Sequence, residues 1–558
     1  MKSIYCLLAI ALLGLVSCKK FLTTQPTDTI TTSNFYESAG ELQDALTTVY
    51  DAVIAGPYSQ YIPCTFSTSD EAYPANNNPG GGGLVNNPYI YQFDYTNSTL
   101  NAFWGTLYTG IENANLLIAN INKPTMDSAT RAYILGQALF LRGFAYYLLV
   151  SHFGDVPLNL TPTANANNTS IPRTPSAKVY AAILSDMETA LPLLETAAQL
   201  PDGTRISQTA AEGILARVSL SLAGQPMNQT AYYDTAIYYC QQVVNSGFHA
   251  LNTTKQGVTT PDSSYAYIFI NEARDIFDPK ECMFEANFSG TTTTYSIART
   301  AGFIGFHSGI PFTATYNDAS IGYCYGFINT PASLYRLYGA GDLRRDWAIS
   351  PYYYTGTATN PAVSSAGIKH TSFGTFLYDR YVAKWRREFE TLLPKSKYDS
   401  PEDFPILRYS DVLLMLAEAE LMSSKGDKVD ALNRVNMVRR RGYGFDINTP
   451  NAISDLTSLA ITDIQDERER ELCFEGLRWT DLRRWGIFTA KMQAELATMQ
   501  ADGLNSKVNT SSGEPTTQYY LDGYTAILNA TSSSKFLLYP IPSSELNVNT
   551  GATQNPGY

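Results

Sequence analysis

The strongest constraint on the fold is a series of amphipathic segments of similar length, each with one apolar stripe at helical spacing. In residues 101–121, Trp104, Leu107, Tyr108 and Ile111 recur at i, i+3, i+4 and i+7, which places them on one helix face. Residues 127–153 read as a second helix, ended by Gly154 and Pro157. Residues 178–194 turn Val179, Ala182, Ile183, Ala190 and Leu194 inward. Residues 207–223 do the same with Ala211, Ile214, Leu215, Val218 and Leu222, and residues 231–246 close on Gly247. A further helix is expected near 41–55. Three more are expected in the C-terminal half, over 409–424, 428–441 and 461–485.

Small residues (Ala138, Gly143, Ala145, Ala210, Ala211) sit at the contact positions of these helices and let neighbours approach closely. Paired helices of this kind resemble tetratricopeptide-type repeats of degenerate period. The fold class expected is therefore mostly α: a helical-pair scaffold with a loop-rich insert and a few short strands. Two stretches break the helical pattern. Residues 57–99 are rich in Pro, Gly, Asn and Tyr around Gly80–Gly83, and read as a long functional loop. Residues 251–400 gain Gly, Thr, Tyr and Pro, with strand-like alternation at 282–288.

The N-terminus is a leader. Lys2 precedes a nearly unbroken apolar run over residues 4–16, too short to span a bilayer stably. Leu15-Val16-Ser17-Cys18 then looks like a lipobox, in which the Cys18 thiol takes a diacylglyceryl group after cleavage at residue 17. Several acyl chains give durable anchoring where one does not. The chain therefore divides into a leader (1–17), a polar tether (18–40), a helical region with ligand loops (41–250), a loop-rich region (251–400) and a C-terminal helical region with its tail (401–558). The 558 residues carry 39 basic and 51 acidic side chains, a net charge of −12, and loss of the leader removes one more positive charge, Lys2. That balance argues against nucleic acid, which needs a basic field, and against docking on anionic lipid. The seven cysteines include no CxxC pair, and a disulfide scaffold is not expected in a body this large.

Several segments in order resemble the SusD/RagB family of outer-membrane nutrient-binding lipoproteins. They are Cys18-Lys19-Lys20-Phe21-Leu22, Ala138 through Tyr147 running into Phe153-Gly154-Asp155-Val156-Pro157-Leu158, and Pro172-Arg173-Thr174-Pro175. The C-terminal half adds Leu407 through Ala419, Asn433 through Arg439, Glu467 through Trp485, Tyr539-Pro540-Ile541-Pro542 and Gln554-Asn555-Pro556-Gly557-Tyr558. The resemblance implies a tetratricopeptide-like scaffold carrying a loop-rich ligand region, outer-membrane location facing the cell exterior, and a lid role over a SusC-like TonB-dependent transporter. It implies an oligosaccharide cargo, or a peptide in the RagB branch, with no catalysis. Lys19 and Lys20 follow the lipid Cys, and the first acid is Asp28, so surface exposure rests on the resemblance alone.

No HExxH, G-x-S-x-G elbow or P-loop is present, and His152, His249, His307 and His370 stand apart in sequence. No cofactor is expected, and a structural calcium ion is left open. The Glu467–Arg484 charge run reads as a structural ion-pair network and Arg142 as a clamp on a neighbouring turn, whereas a surface glycoside hydrolase or a pure assembly scaffold are the alternative classes. Ligand candidates are loop aromatics, whose flat faces cover sugar C–H surfaces, with nearby polar groups for the hydroxyls. The first loop offers Asp70, Glu71, Tyr73, Asn86, Asn87, Tyr89 and Tyr91. The second offers Tyr295, Tyr316, Tyr323 and Tyr325, with Phe303, Phe306 and Phe327 beside them.

Overall fold

A computed structural model describes residues 35–65, 69–74, 88–165, 170–259, 261–289, 300–312, 321–355, 369–375, 377–378, 380–393, 395–396, 399–502 and 518–558. The leader, Cys18 and most of the tether lie outside these residues. Numbering only helices of seven residues or more, the N-terminal half contains α1 (Ala39–Tyr50), α2 (Ser98–Asn120), α3 (Ser128–Phe153), α4 (Ser176–Ala190), α5 (Gln208–Ala223), α6 (Tyr232–Asn245) and α7 (Ser264–Arg274). The C-terminal half contains α8 (Tyr409–Met422), α9 (Lys428–Gly442), α10 (Ile461–Leu472), α11 (Arg478–Arg484), α12 (Phe488–Asp502) and α13 (Gln518–Thr531). The protein is mostly helical, and its strands are short two-stranded pairs.

Local chemistry sets the helix starts. The Ser38 and Glu41 side chains form a capping box on α1, Asn97 caps α2, Asp127 caps α3 and Ser207 caps α5. Consecutive helices then pack as pairs, α3 on α4, α5 on α6 and α8 on α9. The small residues set the spacing. A Cβ on Gly143 would stand 3.1 Å from Met187 Cγ of α4, and one on Gly213 would stand 2.5 Å from Leu407. Helix α3 is long and apolar enough to cross a membrane, but 89% of its apolar window is buried inside the protein, so it is a core helix. Arg142 clamps as expected: it donates to both Asp186 carboxylate oxygens at 2.8 and 2.7 Å, and to Asn115 Oδ1 and the Leu160 carbonyl.

Three expectations need correction. Residues 461–485 are two helices, because Phe474 (φ +66°) and Gly476 (φ +74°) turn the chain left-handed between them, and a Cβ on Gly476 would meet Ile62 at 2.3 Å. The start of the first loop region is packed: Pro57–Thr65 is a wide helical turn that buries Tyr58 and Ile62. Helix α7 lies inside the region read as loop and strand; it is 11 residues long, set in Gly-, Thr-, Tyr- and Pro-rich sequence, and buries Asn271 and Glu272 along with its apolar residues. The strand reading at 282–288 holds, since Cys282–Ala286 pairs antiparallel with Phe404–Arg408.

A buried ion network joins the loop-rich region to the C-terminal helices. The Glu471 carboxylate of α10 accepts from Arg408 at 2.8 Å, from Arg344 at 3.0 Å and from Arg441 of α9. Arg408 also grips both oxygens of Glu475 at 2.8 Å and reaches Glu281 at 3.0 Å. Arg344 holds Asp342 and Glu467, and Lys384 reaches Glu475 at 2.6 Å. Every one of these side chains is essentially fully buried. A second network links Arg217, Asp411, Arg468, Asp481, Arg484 and Glu418 across α5, α8, α10 and α11. The charge run read in the sequence is thus structural.

Removing one partner from such a cluster leaves uncompensated charge in a dry interior, which costs about 3–5 kcal/mol. Arg408→Ala should lower unfolding stability by that amount in urea titrations; a loss under about 1 kcal/mol would contradict the reading. Burial alone would raise Glu471, but Arg441, Arg408 and Arg344 outweigh it and hold it at about 2; Arg344, Arg470 and Arg439 do the same for Glu467. A depressed carboxylate contributes stability that is present above its unfolded value, roughly 4.3, and is lost as pH falls toward the folded value. Stability should therefore fall between roughly pH 4.3 and pH 2, and Glu471→Gln should shrink that fall.

Candidate functional site

Two Gly-flanked turns build an aromatic face in the second loop region. The short helix Ile304–His307 ends where the backbone N–H groups of Tyr325 and Phe327 donate to the Phe306 and His307 carbonyls, both at 2.9 Å. Gly322 (φ +81°) and Gly326 (φ +62°) supply the conformations that other residues resist. The rings of Tyr323, Tyr325 and Phe327 gather on one side, Tyr323 meeting Tyr325 edge-on at 5.1 Å. Tyr325 stacks on Phe327 with ring centroids 4.9 Å apart and an 8° angle, and meets Phe306 edge-on at 4.9 Å. His307 lies 5.1 Å from Phe327 and stacks with Phe303 at 5.6 Å.

The face has an open side. Tyr325 is 39% exposed, and Tyr323, Phe327, Phe303 and His307 are half-buried. The Tyr325 hydroxyl and the His307 ring nitrogens make no hydrogen bond to a described residue, which leaves them able to bind a ligand hydroxyl. Burial lowers His307 to about 4, so it is neutral near pH 7. An apolar, ring-sized surface with a few polar groups at its edge suits a neutral polar ligand.

A second group adjoins it. Phe312 pairs with Cys324 through backbone bonds and meets Tyr354 at 5.6 Å. Tyr352 stacks on His370 at 3.7 Å, and the Tyr352 and Tyr354 hydroxyls both donate to Glu388, at 2.7 and 3.2 Å. His370 is exposed on the hairpin formed by Tyr352–Thr355 and Lys369–Ser372. These residues were not among the sequence candidates. The run Tyr352-Tyr353-Tyr354 was the available signal, but three consecutive tyrosines carry no apolar–polar alternation to mark a strand.

Buried Arg387 braces the platform. Arg387 donates to the Tyr323 carbonyl at 2.6 Å, and grips Glu390. It lies three residues after Lys384, whose ammonium sits in the buried cluster.

The first-loop candidates fall elsewhere. Asp70 is buried and accepts from Arg478 Nε and Nη2 at 2.9 and 2.6 Å. Glu71 is buried and accepts from the Phe474 N–H at 2.9 Å. Tyr73 is 1% exposed and donates to the Tyr378 carbonyl, and its strand Tyr73–Pro74 pairs with Ile328–Asn329 just after the aromatic face. Tyr91 is buried among Phe93, Phe488 and Phe536. The expectation that these four line a ligand surface is thus corrected: their polar groups and rings hold the loop to α10–α12 and to the second loop region. Asn86, Asn87, Tyr295, Tyr316, the side chain of Tyr89 and Cys18 lie outside the described residues. Tyr323 and Tyr325 are the candidates that the structure brings together.

A separate cavity of about 900 Å³ lies between the end of α3, the start of α4, α11 and the C-terminal tail. It shares no lining residue with the aromatic face.

Comparison with known proteins gives a consistent result. The SusD family model matches residues 311–558, and a second model, described as starch-binding and associating with the outer membrane, matches residues 20–220. SusD-like protein P2 of Formosa agariphila is 24% identical over 494 residues, which are 85% of this chain and 89% of that protein. The crystal structure of a SusD homologue from Bacteroides thetaiotaomicron superposes with a TM-score of 0.78 at 27% identity, covering 94% of this chain and 98% of that one. Surface glycan-binding protein A from Bacteroides fluxus shares the fold, with a TM-score of 0.67 at 21% identity over 94% of this chain and all of that one.

Glu71 provides a test of the structural assignment of the first loop. Burial pushes its carboxyl up to about 8, against the Phe474 N–H and Arg478. A raised acid contributes stability while protonated, and that contribution is lost as pH rises from roughly 4.3 through the folded value. Glu71→Gln should flatten the decline of unfolding free energy between pH 5 and 8; an unchanged profile would place Glu71 outside the interior.

Proposed function

This chain belongs to the SusD/RagB family, and on that premise we propose that it is a non-catalytic, lipid-anchored protein that captures an oligosaccharide at the outer face of the outer membrane and delivers it to a SusC-like TonB-dependent transporter as its lid. One observation supports the capture step: a half-exposed cluster of Tyr323, Tyr325 and Phe327 backed by Phe306, with polar atoms at Tyr325 and His307 that have no partner among the described residues. A pyranose presents C–H groups on its faces and hydroxyls at its edge. The stacked rings cover the first, and the Tyr325 hydroxyl and His307 nitrogens bind the second.

Binding without cleavage is favoured by the state of the acids beneath the face. Glu390 is held by Arg387, and Glu402 is fully buried below Gly305. Glu388 is engaged by two tyrosine hydroxyls. A glycosidase needs two carboxyl groups flanking a bond that substrate can reach.

Affinity electrophoresis against a panel of neutral glucans should show retardation that Tyr325→Ala and Phe327→Ala each weaken about tenfold, equivalent to about 1.4 kcal/mol, with unchanged melting temperature. No shortened product should appear on prolonged incubation. Product release would establish the hydrolase reading, and retention of peptides with no glycan binding would establish the RagB-like one. Cys18→Ser should move the exported protein from the membrane to the soluble fraction, and retention of this variant on membranes would contradict lipid anchoring.

A further inference from the structure

The cavity of about 900 Å³ gathers segments that the sequence marks but the aromatic face does not use: Gly154-Asp155, Arg173, Arg483-Arg484 and Gln554-Asn555-Pro556. Its volume is in the range of small-molecule sites. Val150, Tyr180, Met227, Phe488, Leu537 and Leu538 make most of its wall apolar. Its charge is unlike that of the rest of the chain. Arg173, Arg483, Arg484 and Lys535 line it against the single acid Asp155, in a protein of net charge −12.

These cations are not equivalent. Arg484 is neutralised by Glu418 and Asp481. Arg173 is committed to the fold: it donates to the Asp155 and Thr553 carbonyls and to Asn555 Oδ1, fastening the C-terminal tail. Asp155 is occupied by the Ser176 N–H and hydroxyl. Arg483 differs. Its Nη1 donates to the Ser151 carbonyl and its plane covers the Trp479 ring at 4.2 Å, but Nε and Nη2 donate to no described residue. Among the described residues it has no ion pair. Burial lowers its pKa to about 10, opposed only by the tyrosines Tyr180, Tyr539 and Tyr147, and it stays charged at neutral pH. Lys535 stands over the Tyr558 ring at 4.9 Å, likewise without an ion pair among the described residues.

Arg483 is half-buried and has no carboxylate partner among the described residues, whereas the other arginines of α10 and α11 all have one. The free Nε–Nη2 edge of a guanidinium matches the two oxygens of a carboxylate. We propose that this cavity is a second binding site, which takes an organic carboxylate with an apolar portion, its carboxylate seated on Arg483 beside Lys535 and its apolar part against Tyr180, Phe488 and Leu538. A single anion suits the one uncompensated guanidinium, and the apolar wall favours an organic acid over a free inorganic anion. The carboxylate can be carried by a sugar acid or by a peptide C-terminus.

Isothermal titration of the mature protein with two matched pairs tests this and separates the sources: methylumbelliferyl β-D-glucuronide against the β-D-glucoside, and N-acetyl-phenylalanine against its amide. At least one acid should bind tenfold or more tighter than its neutral partner. Arg483→Met should abolish that difference and Arg483→Lys should restore part of it, while glycan retention sensitive to Tyr325→Ala stays unchanged. Leu538→Trp, which narrows the cavity without touching a charge, should weaken the same acid and guards against misfolding of the arginine variants. Acids that bind no better than their neutral partners, or a preference that survives both Arg483→Met and Leu538→Trp, would overturn the proposal.

Discussion

One carboxylate, that of Glu471, holds the architecture together. Three arginines from distant parts of the chain converge on it: Arg344 from the loop-rich region, Arg408 from the strand before α8, and Arg441 from α9. In water such contacts contribute little. Inside a dry core they are obligatory, since any unpaired member would be left as a bare buried charge. A hydrophobic cluster of the same size would tolerate sliding of helices past one another. Forked guanidinium contacts fix both distance and angle, so they set the register of the C-terminal helices against the loop region.

That rigidity reaches the aromatic face through a short length of chain. Lys384 is anchored to Glu475, Trp385 stacks on Phe404, and Arg387 holds the Tyr323 carbonyl. Tyr73 contributes from the other side, by pairing with Asn329 and bonding to the Tyr378 carbonyl. A recognition surface made of loops is thus carried on a frame of buried ion pairs. Such a frame lowers the ordering cost that a flexible loop would otherwise add to binding.

Most of the helical scaffold was legible in the sequence because apolar residues recur at helical spacing between Gly and Pro stops. Helix α7 is short and set among Gly-, Thr-, Tyr- and Pro-rich segments, and the break at Phe474–Gly476 falls between two charge-rich stretches that both read as helical. The charge run itself was read as structural, and it is. Asp70 and Glu71 mislead for the opposite reason. A polar pair in a Gly- and Asn-rich stretch suggests a solvent-facing loop, but their partners, Arg478 for Asp70 and the Phe474 N–H for Glu71, lie some four hundred residues later, and no local pattern encodes such distant pairings. Tyr323 and Tyr325 were legible as candidates because they are aromatic residues in a Gly- and Tyr-rich loop region, where a flat ring is free to meet a ligand.

The central claim is that a glycan ring lies against the Tyr325–Phe327 stack. A crystal structure of the protein soaked with an oligosaccharide retained in the binding assays tests it most directly. The account predicts a pyranose face in van der Waals contact with Tyr325 and its hydroxyls within hydrogen-bonding reach of the Tyr325 hydroxyl or His307. An intact sugar bound elsewhere, with the Tyr325 and Phe327 rings facing solvent, would contradict it.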